Sequence, residues 1–115
     1  MMKTKLLFIC SRNQWRSPTA EALFRKHPHY EARSAGTSPS ARIRVNENHV
    51  GWSDIIVVME PRHRNLMLQR FPHAVSLKSF IVLDIPDDYA FMDADLIALL
   101  LASLSPHLEH LESPV

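Results

Sequence analysis

The chain has 115 residues, 46% of them hydrophobic, and its 13 basic and 12 acidic side chains leave a formal net charge of +1. A chain of this length buries roughly two-thirds of its unfolded surface, so one domain over residues 1–115 is expected, and the near-even charge argues against a general nucleic-acid binder. One cysteine forms no internal disulfide and the apolar run before it is too short for a signal-peptide core or a membrane span, so a cytoplasmic protein with no membrane partner is expected.

Lys5 to Ile9 is short and continuously apolar, as a parallel strand covered on both faces requires. Pro18 after a Ser17 cap predicts a helix through about Lys26, ended by His27-Pro28-His29. Tyr30 to Ser34 reads as a second strand stopped by Gly36. Residues 37 to 53 read as a loop with one short helix near Glu47–Trp52. Asp54-Ile55-Ile56-Val57-Val58-Met59 is the clearest strand.

Pro61 then opens a helix with Leu66, Met67 and Phe71 on its inner face. Its Arg62, His63, Arg64 and Arg70 read as a solvated basic face. Val75 to Leu83 is strand-like, Asp84 to Asp88 is a turn-rich loop, and Asp93 to about Ser105 forms a last helix that Pro106 ends or kinks. Strands alternating with helices predict an α/β fold with a parallel sheet. Ligands of such sheets sit outside the carboxyl ends of the strands, which is where Cys10 falls.

The stretch Cys10-Ser11-Arg12-Asn13-Gln14-Trp15-Arg16-Ser17-Pro18 carries the chemistry. A thiol attacks as thiolate, which a helix N-terminus and a neighbouring cation favour. Five residues between the thiol and Arg16 can wrap so that their N–H groups form an anion nest. Arg16 adds a planar fork for two phosphate oxygens. A bare cysteine at a strand end is also a common buried hydrophobe, so the strand before it and the Ser-Pro helix start after it matter to the reading. With only Gly36 and Gly51, no glycine-rich nucleotide loop can be written. His27/His29 and His107/His110 have metal-like spacing but no further ligand, and Trp52 reads as a packing anchor.

Residues 10–22 resemble the phosphate-binding loop of low-molecular-weight protein tyrosine phosphatases, C-x-x-N-x-x-R-S-P-x-A-E-A. Ser34-Ala35-Gly36-Thr37, Asp54 to Met59 and Asp84-Ile85-Pro86-Asp87-Asp88-Tyr89 match further family blocks in the same order. The resemblance implies a three-layer α/β/α fold with a four-stranded parallel sheet, and a hydrolase working through phosphocysteine. Cys10 would be the nucleophile, with Ser11, Arg12, Asn13, Gln14, Trp15, Arg16 and Ser17 holding the phosphoryl group. Ser17 would hydrogen-bond the sulfur, Asn13 would hold a left-handed turn, and Ser34 would buttress Asn13. Asp87 would be the general acid, with Asp84 and Asp88 as alternatives, and Tyr89 would flank the pocket. No metal or other cofactor is implied. The expected partner is a phosphorylated protein, phosphotyrosine above all, or a small phosphate ester, acted on by a monomer or weak dimer.

Three features depart from the pattern. Arg12 stands where the family usually has Gly, Trp15 stands where many members carry a second cysteine, and only 17 residues separate Gly36 from Asp54. A related arsenate reductase would need relay cysteines that this chain lacks. A phosphocysteine carrier or a non-catalytic phosphate- or phosphoprotein-binding module remain alternatives at this point.

Overall fold

The computed structural model describes residues 2–111. Four parallel strands, β1 (Thr4–Cys10), β2 (Tyr30–Gly36), β3 (Ile55–Val58) and β4 (Ser79–Val82), form one sheet in the order β2-β1-β3-β4. Five helices connect or follow them: α1 (Arg16–Leu23), α2 (Glu47–Trp52), α3 (Pro61–Arg70), α4 (Pro72–Val75) and α5 (Ala94–Leu104).

Alternation along β1 divides the interior into two cores. Leu6, Phe8 and Cys10 face Ala20 and Phe24 of the α1 segment and Leu96, Leu100 and Leu104 of α5. Leu7 and Ile9 face Val50 of α2, Met67 of α3 and Val75 of α4. The fold is therefore three-layer α/β/α, with a sheet covered on both faces. Its strands are continuously apolar for that reason. No helix among the described residues is long and apolar enough to cross a membrane.

The strand order fixes where a ligand can sit. The chain leaves β1 toward β2 through α1 on one face and returns past β1 to β3 through α2 on the other. Their divergence opens a crevice at the carboxyl ends of β1 and β3.

Several boundaries differ from the sequence reading, each for a local reason. Ser17 is not the cap of α1: the helix starts at Arg16 with Trp15 as cap, and Ser17 lies inside it with its hydroxyl turned to Cys10. Pro18 is then the third helical residue, still within the turn whose N–H groups have no helical partner. The helix ends at Leu23 rather than Lys26, and Lys26 takes a φ of 61°. Val75 ends the short helix α4, so β4 begins only at Ser79.

Gly36 does not stop β2 but completes it, paired with Cys10. A Cβ at Gly36 would lie 2.5 Å from the Ser11 carbonyl and 2.7 Å from Ala41 Cβ, so the close approach of two backbones excludes any side chain. The basic face expected on α3 is interrupted: His63 is fully buried, while Arg62 and Arg64 are exposed. Trp52 is half-buried against the second core, with the Arg33 guanidinium 4.4 Å from its ring centre.

Candidate active site

Cys10 ends β1 and is almost completely buried. The chain then turns through residues 11–15 into α1. The turn pivots on Asn13, whose φ of 55° is left-handed, a region Asn tolerates better than most residues.

The carbonyls of this loop are tied back by the segment after β2. The N–H groups of Thr37, Ser38 and Arg42 donate to the carbonyls of Cys10, Ser11 and Arg12 at 3.0, 2.9 and 3.0 Å. Arg42 Nε donates to the Asn13 carbonyl at 3.0 Å. With the carbonyls held outward, the alternate backbone groups face the other side of the loop. The short stretch between Gly36 and Asp54 thus works as a brace for the loop.

Hydrogen bonds to the sulfur form a directed chain. Asn13 N–H reaches Cys10 Sγ at 3.2 Å, and Ser17 Oγ lies 2.9 Å from the same sulfur. The two Asn13 Nδ2 hydrogens go to Ser17 Oγ and Ser34 Oγ, each at 2.9 Å. Ser34 Oγ donates to the Glu21 carboxylate. A carboxylate accepts only, so the Ser34 hydroxyl is oriented by Glu21, while Asn13 Nδ2 donates with one hydrogen to each serine. Ser34 gives its proton to Glu21 and accepts from Asn13; Ser17 accepts from Asn13, and its proton is free for the sulfur. The Asn13 N–H points at Cys10, and an ionised sulfur, having no proton of its own, receives the Ser17 hydroxyl as a second donor.

Arg16, at the first turn of α1, is 1% exposed. Its Nη1 donates to Glu60 Oε2 at 2.5 Å and to the Ile85 carbonyl at 2.8 Å, while Nε lies 3.5 Å from Asp87 Oδ1. Nε and Asn13 Oδ1 are the buried side-chain polar atoms without a hydrogen-bond partner among the described residues. The guanidinium is thus fixed from β3 and from the segment after β4, with one edge toward Asp87.

Glu60, His63 and Arg62 were not singled out as site residues by the sequence. Glu60 directly follows Met59, at the carboxyl end of the clearest strand, which was the available signal. Burial works to raise its pKa, but hydrogen bonds from Arg62 and Arg16 and their charges outweigh it and hold the pKa at about 2. His63 Nδ1 accepts the Glu60 backbone N–H at 3.1 Å, and its Nε2 stands 2.9 Å from Ser11 Oγ. Burial, then the positive charges of Arg16 and Arg62, overcome Glu60 and pull the His63 pKa down to about 4. The ring is neutral at pH 7, with its one proton on Nε2, facing Ser11. Arg62 Nη2 reaches Ser11 Oγ and Glu60 Oε2, both at 3.0 Å.

The other predicted residues divide clearly. Arg12, Gln14 and Trp15 lie on the exposed side of the loop, and the Trp15 carbonyl accepts from Thr19 N and Oγ1. Asp87 reaches Arg16, whereas Asp84 and Asp88 make no ion pair among the described residues. Asp84 takes a left-handed φ of 59°. Tyr89 is half-buried against the core shared by β1 and α5. His29 and His110 stack with ring centres 3.8 Å apart, His27 lies tilted beside His29, and no group of three or more metal-ligating side chains occurs among the described residues.

A thiol and a buried guanidinium, set on a strand–loop–helix turn at the carboxyl edge of a parallel sheet, make an arrangement suited to a cysteine-dependent phosphatase. Residues 5–52 match the sequence model of the low molecular weight phosphotyrosine protein phosphatases. A protein-arginine-phosphatase of Geobacillus stearothermophilus is 28% identical over 108 residues, covering 70% of this chain and 73% of that protein. The solved YwlE arginine phosphatase of the same organism superposes with a TM-score of 0.67 at 21% identity, over 93% of this chain and 99% of that one. The tyrosine phosphatase Wzb from Escherichia coli K30, in complex with phosphate, gives 0.73 at 22% identity, over 91% and 96%. The chain is thus similar to the low-molecular-weight phosphotyrosine protein phosphatases in sequence over residues 5–52 and in fold over most of its length.

Proposed function

We propose that the protein removes phosphate from phosphorylated protein side chains through a covalent intermediate on Cys10. The sulfur attacks phosphorus as the bond to the leaving oxygen breaks. Arg16, held at Glu60 and Ile85, turns its remaining N–H groups to the equatorial oxygens, where charge is spread in the transition state. The loop amides between Ser11 and Arg16 add donors to the same oxygens. Asp87 gives a proton to the departing oxygen and then takes one from the water that cleaves the S–P bond. Ser17, donating to the sulfur, stabilises it as it leaves in that second step.

The observation that carries this reading is the approach of Asp87 to Arg16. It brings the carboxylate of the loop after β4 to the guanidinium that closes the Cys10 loop. A carrier or a binding module has no use for an acid there. The family match ends at residue 52, so Asp87 rests on this geometry and on the sequence pattern around it.

Phosphotyrosine is the substrate we assign first. A second reading, phosphoarginine, is favoured by the likeness to a protein-arginine-phosphatase. Its leaving group is a guanidine nitrogen, which Asp87 would protonate in the same way. Initial rates on matched phosphotyrosine and phosphoarginine peptides, without metal, decide between them: the higher kcat/KM identifies the substrate class. No turnover of either, with tight phosphate binding, overturns the enzymatic reading.

A further inference from the structure

A groove of about 390 Å³ opens from Gln14 of the Cys10 loop and runs along α1 between the guanidinium-bearing residues Arg42 and Arg25 and the ring of Phe91. We propose that it is a subsite for an anionic group carried beside the phosphorylated side chain of the substrate. The proposal deepens the phosphatase reading and rests on it for the identity of that side chain.

The groove lies between the two parts of the proposed machinery. Gln14 belongs to the phosphate loop, and Phe91 belongs to the segment that carries Asp87. A chain whose phosphorylated side chain enters between Cys10 and Asp87 therefore has its neighbouring residues over this groove. Phe91 is 52% exposed and offers those residues an apolar wall.

The charge in the groove is available. Arg42 is placed by the loop itself, through its N–H to the Arg12 carbonyl and its Nε to the Asn13 carbonyl, and its terminal nitrogens make no hydrogen bond or ion pair among the described residues. Arg25, just past the end of α1, is exposed and equally uncommitted at its side chain. The one carboxylate lining the groove, Glu21, accepts the Ser34 hydroxyl and pairs with neither arginine, so the lining keeps one net positive charge. A chain with a net charge of only +1 thus sets two guanidinium groups with uncommitted terminal nitrogens beside its phosphate loop. A carboxylate and a second phosphate share the chemistry that would fill it.

The test is binding of fluorescent phosphopeptides to the full chain carrying Cys10→Ala, which needs no turnover. The phosphatase reading is tested separately by hydrolysis with the wild type. Phosphotyrosine and phosphoarginine peptides are compared with neutral flanks, with flanking glutamates, and with a neighbouring phosphoserine. The expected result is about fivefold tighter binding of an anionic flank at low salt, lost in 0.5 M NaCl and cut to about twofold by Arg25→Gln. A gain with glutamate identifies acidic segments, and a gain confined to phosphoserine identifies doubly phosphorylated ones. Equal affinities, no binding of any peptide, or a preference that Arg25→Gln leaves intact overturns the proposal.

Discussion

The Ser17 hydroxyl lies 2.9 Å from the Cys10 sulfur and accepts Asn13 Nδ2, which leaves its proton free for an ionised sulfur. Asn13 Nδ2 is held on its other side by Ser34, whose own proton goes to Glu21. A helix residue that sequence patterning treats as a cap thus lies inside α1 with its hydroxyl turned to Cys10.

Ser17→Ala removes that donor together with the acceptor of one Asn13 Nδ2 hydrogen, so a stability loss of about 1–3 kcal/mol is also expected. We expect kcat to fall by about 10- to 100-fold, the worth of one hydrogen bond to a charged group. KM should change little. Rapid-quench detection of phosphoenzyme checks the step: it should accumulate in Ser17→Ala, because departure of the sulfur is slowed.

Glu60→Gln keeps the shape of the Arg16 clamp and removes its charge. Arg16 is then a buried cation with one charged neighbour fewer, so stability should drop by about 2 kcal/mol, less than for a fully buried pair because Glu60 is partly exposed. Phosphate affinity should change by less than a factor of ten. Urea unfolding and competition with inorganic phosphate give the two numbers.

His63 makes the protein acid-sensitive in a defined window. Its folded pKa is about 4 against an ordinary 6.5, so the unfolded chain binds the proton first as the pH drops. Stability is complete above about pH 6.5 and is lost as the pH falls toward 4, by about 3 kcal/mol. Glu60, held at about 2 against 4.5, extends the loss from about pH 4.5 downward. In His63→Gln the loss between pH 6.5 and 4 should flatten, which urea titrations at pH 7, 5.5 and 4.5 can read.

The sequence made the sheet legible because each strand is a continuous apolar run between turn signals, as for Leu6 to Ile9 and Ile55 to Val58. It also showed the Cys10 loop, whose residues are consecutive. Glu60 and His63 stayed hidden because their partners are remote: Arg16 lies 44 residues from Glu60, and Ser11 lies 52 from His63. A histidine among arginines on α3 looks solvated until the loop closes over it. Val75 misled because an apolar residue before a strand can equally belong to the helix that precedes it. The polar stretch after Gly36 read as a loop with one short helix, and its bracing role stayed hidden because backbone groups do that work and residue type does not reveal it.

Gly36→Ala tests that brace. The added methyl must displace the Ser11 carbonyl or Ala41, so a loss of about 1–3 kcal/mol is expected. Activity should fall further than stability alone explains, because the displaced group belongs to the loop. Thermal melts beside kcat/KM values will show whether the two effects separate.

The central claim is that Cys10 and Asp87 act in one hydrolytic cycle, and it is tested most directly by turnover of an activated aryl phosphate and a phenyl phosphate by wild type, Cys10→Ser and Asp87→Asn. Cys10→Ser should abolish turnover of both. Asp87→Asn should slow phenyl phosphate by about 10² to 10⁴, and the activated ester much less, since its leaving group needs no proton. Turnover surviving in Cys10→Ser, or an Asp87→Asn loss that is the same for both leaving groups, would contradict the account.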